Sequence, residues 1–244
     1  MLTPFAAVFV AAATVADTAT FGLLAENLSR TRKGFRTVEI EFTLERKDAV
    51  LSKPRNFVGK FLALRTADRF YAQLHLRSES EPVEVENYVL RGDDLTEWLS
   101  SKKTVTRYSA SQTKGGFRFA VDNFSGLLWI LDREQGPKHL RPRAFKRDQN
   151  YAYFDVKADE TPTWALFGKP RLTTTDYRLV MTLTESDKHP KHTIRQVFKT
   201  QASGDTQLWN VTKWAVNSPD HAKLSPASFP DPAKPPQGLS LIHI

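Results

Sequence analysis

Residues able to do chemistry are few in this sequence, and they are scattered. Six histidines occur, at His75, His139, His189, His192, His221 and His243. A metal centre needs three or four converging ligands, and the closest pair is His189-Pro190-Lys191-His192. Its spacing suits a metal, but Pro190 places the pair in a loop before a strand and no further ligand stands nearby. It reads as an exposed basic turn. Ser125, in "DNFSGLL", falls in the first turn of an expected helix. There Ser serves as a cap-region residue, and the chain has no G-x-S-x-G. With no cysteine there is no thiolate nucleophile, disulfide or cysteine zinc site. H-E-x-x-H, the P-loop and G-x-G-x-x-G are also missing from the sequence. Glu39, Glu41 and Glu45 fall on one face of a strand and read as a solvated face rather than an acid–base pair. Arg91-Gly92-Asp93 spells an adhesion triplet, but its Gly and Asp stand where a tight hairpin needs turn residues. Asn27, Asn123 and Asn210 match the short glycosylation triplet and carry no further signal. The expectation is a protein that is not an enzyme and uses no cofactor or metal.

Charge and composition narrow the partners. The formal charge is +8 and the isoelectric point about 9.6, a balance that suits an anionic membrane surface or another anionic partner. Lys and Arg are interleaved with Glu and Asp, with no dense basic block and no RRM-like aromatic signature, so no nucleic-acid site is expected. Residues 1–16, "MLTPFAAVFVAAATVA", carry an apolar run and then small residues before Asp17, the pattern of a secretory signal, although no Lys or Arg precedes the run. The main domain is expected over residues 17–230. Residues 231–244 are proline-rich and then change abruptly to an apolar tail, so they are set aside as disordered or non-native.

Between those ends most of the chain alternates with period two, the mark of half-buried strands. Strands are expected at Arg36–Lys47, Phe57–Arg65, Arg69–Ser78, Val83–Leu90, Leu95–Leu99, Thr104–Tyr108, His139–Arg147, Tyr151–Lys157, Asp176–Thr184, His192–Thr200 and Thr206–Asn217. Asp148-Gln149-Asn150 and Ser203-Gly204-Asp205 read as hairpin turns. Period changes in two places. A helix is expected over Thr18–Thr31, and another where Phe124, Leu127, Leu128 and Leu131 recur at helical spacing between Asp122 and Gly136-Pro137. Pro162–Gly168 reads as a short helical turn. A sheet of about eleven strands must curl, and helices must cover its apolar concave face or leave it open as a pocket. The aromatic load, 16 Phe and 5 Trp, fits either an ordinary core or the lining of such a pocket.

The order of these elements resembles one known group. "FRTVEIEFTLERK", then "GKFLALRTADRFYAQLH", then "NYVLRGDDLTEWLSSKKTVTRY" is similar to the outer-membrane lipoprotein carriers, the LolA-like and LolB-like superfamily. "YAYFDVKADETPTWALFGKPRL" and the closing "LWNVTKWAVNSPDHAKLSPASFPDPAKPPQG" extend the resemblance over most of the chain, from Leu23 to Gly238. It implies a mainly β (α+β) fold, an incomplete, curled antiparallel β-barrel with helices across its concave face. It also implies a monomeric periplasmic protein whose apolar cavity accepts acyl chains of lipids or lipoproteins without covalent chemistry. On this reading Val38, Ile40, Phe42, Leu44, Phe61, Phe70, Leu74 and Leu76 are the cavity wall. Phe124, Leu127, Leu128 and Leu131 are the lid stripe. The same fold also serves as a sensing domain in envelope-stress regulators, so an envelope interaction or sensing role without a carried ligand is the alternative.

Overall fold

Thr37–Lys47 alternates Val38, Ile40, Phe42 and Leu44 with polar residues, so an extended backbone puts all four apolar side chains on one side. That segment is β1. The computed structural model describes residues 26, 30, 34–50, 53–81, 84–92, 94–108, 141–160, 173–201, 203–231 and 240–243. Eleven further strands follow: β2 (Arg55–Arg65), β3 (Phe70–Ser78), β4 (Val85–Arg91), β5 (Asp94–Leu99), β6 (Thr104–Tyr108), β7 (Arg141–Arg147), β8 (Tyr151–Glu160), β9 (Thr173–Thr182), β10 (Ile194–Thr200), β11 (Thr206–Val216) and β12 (Ser240–His243).

All twelve strands belong to one sheet, in the order β12-β6-β5-β4-β3-β2-β1-β11-β10-β9-β8-β7. Two antiparallel meanders, β1–β6 and β7–β11, are joined where β1 pairs with β11. The outermost strands β12 and β7 do not pair with each other, so the sheet is open. Each of the eleven expected strands is present, with ends shifted by a few residues. The tail set aside from the fold contributes a strand as well: Ser240–His243 runs parallel to β6.

The turns follow their residue types. Asp148 Oδ1 accepts the backbone N–H groups of Asn150 and Tyr151, at 2.8 and 2.7 Å, closing the β7–β8 hairpin. Gly204 supplies the positive φ, 90°, that the β10–β11 hairpin needs. Gly92, at φ 65°, does the same between β4 and β5. Arg91 of the adhesion-like triplet is no free tip, because its Nη2 donates to the Phe229 carbonyl at 2.6 Å.

Helix is sparse among the described residues. Glu26, Arg30 and Gly34 are helical, within and just beyond the expected N-terminal helix, and Glu26 pairs with Arg30 one turn on at 2.9 Å. The expected lid stripe Phe124, Leu127, Leu128 and Leu131, the turn at Pro162–Gly168 and residues 1–16 lie outside the described residues. Two single turns of 3-10 helix, Pro219–His221 and Pro226–Ser228, follow β11 and fold back onto the sheet.

The expectation of one apolar and one wet face needs a correction. The main apolar cluster lies on one face, but Leu64, Val89, Trp98, Val105 and Phe229 are buried outside it. The register puts Leu64, Val89, Trp98 and Val105 on the opposite side of the sheet. There Phe229 stacks near Tyr71, ring centroids 5.8 Å apart.

Candidate functional site

The register brings the residues expected as a cavity wall onto one face of the sheet. On β1 to β4, Val38, Ala63, Ala72 and Leu90 form one row across the sheet. Ile40, Phe61, Leu74 and Tyr88 form the next, and Phe42, Gly59, Leu76 and Glu86 the third. On the other side of β1, Trp214, Val211 and Trp209 pair with Ile40, Phe42 and Leu44. Seven of the eight expected wall residues are almost fully buried in a single cluster, and Phe70 packs against it partly exposed. Four alternate residues of β1 span about 20 Å of apolar track. Phe35 closes one end of that track, edge-on to Phe70 with centroids 6.1 Å apart and with Arg65 3.9 Å above its ring.

Close packing on this face has a visible cause. Phe42 and Trp209 meet with ring centroids 4.7 Å apart. The Phe42 ring also lies over Gly59, where any Cβ would collide with it and would come within 2.9 Å of Leu76. Gly59 is therefore the absence of a side chain that an aromatic neighbour fills.

The other end of the track is charged. Arg46 continues the phase of Val38 to Leu44, and Arg55 sits opposite it on β2. Arg46 Nη1 donates to both carboxylate oxygens of Glu86, at 2.7 and 2.8 Å. This ion pair crosses the two intervening strands, β2 and β3. Tyr88 donates its hydroxyl to Glu86 Oε2 at 3.0 Å. Burial first, and then the neighbouring Glu86 carboxylate, push the Tyr88 hydroxyl far above the ordinary phenol range. Sequence reasoning missed this trio, although strand parity already places Arg46 on the apolar side.

On the opposite face the acidic residues are not all solvated. Glu39 is only 6% exposed, which overturns its reading as part of a wet face. Lys213 and Lys60 approach its two oxygens at 2.6 and 2.8 Å, and His221 Nε2 lies 3.2 Å away. Burial alone would raise the Glu39 carboxyl, but hydrogen bonds from Lys213 and Lys60 outweigh it and bring the value down to about 2. Glu41, 3.7 Å from Lys213, remains partly exposed. The 3-10 turn Pro219–His221 delivers His221 to this cluster, and its Nδ1 lies 3.2 Å from Thr37 Oγ1. A carboxylate held by cations this closely is an anchor rather than a proton donor near neutral pH.

The histidine pair also departs from expectation. His189 is buried, 8% exposed, and bridges Ser186 in a tight turn, while its Nε2 lies 3.2 Å from Arg195 Nη1. Burial, followed by the charge of Arg195, lowers its value below the usual imidazole range. Three or more His, Asp or Glu side chains able to hold a metal do not converge among the described residues. No helix among them is long and apolar enough to cross a membrane.

Open clefts flank the sheet. One of about 460 Å³ is lined by Glu185, Asp187, Pro190 and Trp214, and another of about 570 Å³ by Tyr71, Arg91 and Phe229. Apart from these clefts, the face centred on β1 is a long buried apolar track with a charged end.

Comparison with known proteins finds no matching family model and no matching curated protein. Solved structures of similar shape include a putative outer membrane lipoprotein-sorting protein domain from Vibrio parahaemolyticus. It is 12% identical, with a TM-score of 0.46 over 80% of this chain and 92% of that one. A DUF1329 family protein from Desulfovibrio piger is 12% identical, with a TM-score of 0.44 over 89% and 98%. A LolA superfamily protein from Nitrosomonas europaea is 10% identical, with a TM-score of 0.39 over 80% and 95%.

Proposed function

We propose that this protein binds the acyl chain of a lipid or lipoprotein, reversibly and without covalent chemistry, along the apolar face centred on β1. The observation that carries this reading is the convergence of Val38, Ile40, Phe42, Leu44, Phe61, Leu74 and Leu76 into one buried cluster, with Phe70 at its border. Each methylene buried there is worth about 0.8 kcal/mol, so a long chain gains enough to bind without any reaction. The wall is closely packed, so a ligand has to replace apolar contacts that already exist. A lid carrying Phe124, Leu127, Leu128 and Leu131 would be the element that yields, trading its own contacts for those of the acyl chain. On this reading the sheet is a curled, incomplete barrel, and the working compartment is the periplasm.

Trp209 makes the test direct, because it is fully buried among the wall residues. A fatty acid carrying a nitroxide along its chain should quench part of the tryptophan emission saturably, with a stoichiometry of one. Trp209→Phe should remove a large share of that quenching. A folded, lipid-stripped monomer that shows no saturable quenching refutes the proposal.

A further inference from the structure

Within one step of the register the apolar track changes character. Across β2, β1, β11 and β10 one row reads Phe57, Leu44, Trp209 and Val197, all apolar and all buried. The next row on the same face reads Arg55, Arg46, Gln207 and Lys199. Like charges directly opposite on neighbouring strands repel, and Arg46 and Arg55 are such a pair. Both guanidinium groups turn toward the Phe57 ring, 5.0 and 5.9 Å from its centroid. Lys199 is 2% exposed, with its ammonium 5.6 Å from the Tyr177 ring.

Carboxylates approach both arginines of this row. Glu86 takes Arg46 through Nη1, and Glu84 lies 3.7 Å from Arg55. Among the described residues Arg46 Nε is buried with no hydrogen-bond partner. In a guanidinium, Nε and Nη2 form the fork that receives a carboxylate or phosphate through two parallel hydrogen bonds. Glu86 engages only Nη1, so that fork is not used by it. A buried donor without a partner costs stability unless something accepts from it. Here it sits where the apolar track ends.

We propose that this row is a head-group site, and that the ligand is an amphiphile with an anionic oxyanion head, a carboxylate or a phosphate, received by the Nε–Nη2 fork of Arg46. The inference rests on the acyl-binding reading and adds the chemistry of the ligand's other end. The chain lies along the rows from Leu44 toward Val38, and the head meets Arg46, with Arg55 and Lys199 in the same row. Glu86 holds Arg46 in place and competes with the head for its charge.

A series of ligands of one chain length tests this on the intact, lipid-stripped protein. The series comprises a long-chain fatty acid, its methyl ester, the matching alkyl phosphate and the matching alkyl trimethylammonium. Each displaces the nitroxide probe below its micelle concentration. The acid or the phosphate should bind about tenfold tighter than the ester, the gain expected of a charge-assisted hydrogen bond. An acid preferred over the phosphate identifies free fatty acids, and the reverse identifies phospholipid heads; either outcome supports the site. Arg46→Met should bring the anionic ligands down to the level of the ester while the ester changes by less than about twofold. Arg46→Lys, which keeps the charge and loses the fork, should fall between. Glu86→Gln should strengthen binding of the anions alone. Equal affinity for all four heads on the unaltered protein overturns the head-group site and leaves acyl binding standing. Saturable binding of none of them overturns both.

Discussion

Replacing Glu39 with Gln should change how the protein responds to acid. Glu39 is buried between Lys60, Lys213 and His221, and its carboxyl is lowered from 4.5 to about 2. At about 1.4 kcal/mol per pH unit, that depression is worth roughly 3 kcal/mol of folding stability. Its sign follows from the direction. The folded state holds the proton less readily than the unfolded chain. The contribution is therefore complete above pH 4.5 and is lost as the pH falls from there toward 2. Glu39→Gln removes the charge and leaves three partners around a neutral amide. The variant should be less stable than the parent by about 2–3 kcal/mol at pH 7. The gap should narrow as the pH drops below 4.5 and nearly close at pH 2. Urea unfolding followed by tryptophan emission, at several pH values between 7 and 2, measures the gap directly. A gap that stays constant across that range would show that Glu39 acts through packing and not through its charge, and the reasoning would fail.

Three further outcomes follow from particular contacts. Gly59→Ala should cost about 1–3 kcal/mol in urea unfolding, because the new methyl group meets the Phe42 ring and Leu76 in a packed interior; a neutral result would mean that Phe42 moves aside freely. Asn217 adopts a φ of 51°, accepts from the Arg36 and Thr37 N–H groups at 2.7 and 3.0 Å, and donates to the Gly34 carbonyl at 3.1 Å. Asn217→Ala should therefore lower stability by about 1–3 kcal/mol, and Asn217→Gly by less, since glycine keeps the backbone angle but not the hydrogen bonds. His189 should titrate below the ordinary imidazole value of 6.5 by NMR, because burial and then Arg195 disfavour its charged form. Its effect on stability is neutral above pH 6.5 and unfavourable as the pH falls below it, so His189→Gln should flatten that part of the stability profile.

The sheet was legible in the sequence because period two survives in most strands. In β1 the series Val38, Ile40, Phe42 and Leu44 gave the strand, its buried side and half of the candidate wall. Its extension was equally visible: Arg46 lies two residues beyond Leu44, so parity alone puts a guanidinium on the apolar side. Its partner was not visible. In "VENYVLR" four successive residues from Asn87 are buried, so alternation does not reveal which way Glu86 points. Glu39 was misread for a related reason. Thr37 and Glu41, beside it on the same strand face, look solvated in the sequence, but the group that helps bury it, His221, is 182 residues away, on a turn that no local pattern announces. His189 was read from Pro190 as an exposed loop, and its burial depends on pairing with Ser186 and on Arg195. Contacts set by the return of a distant segment are the ones that period and composition do not encode.

The pairing of β1 with β11 also has a consequence in time. These strands are neighbours in the sheet yet begin at Thr37 and Thr206. Each meander can form from local hairpins within microseconds, but the seam between them must close a loop of well over a hundred residues, and such non-local closures are slow. Until β11 has been synthesised and docks, β1 presents an unpaired edge along a strand whose one side carries Val38, Ile40, Phe42 and Leu44, the kind of surface that recruits other chains. Folding of this protein should therefore be limited by one late event, and the half-finished chain is the form that most needs a chaperone.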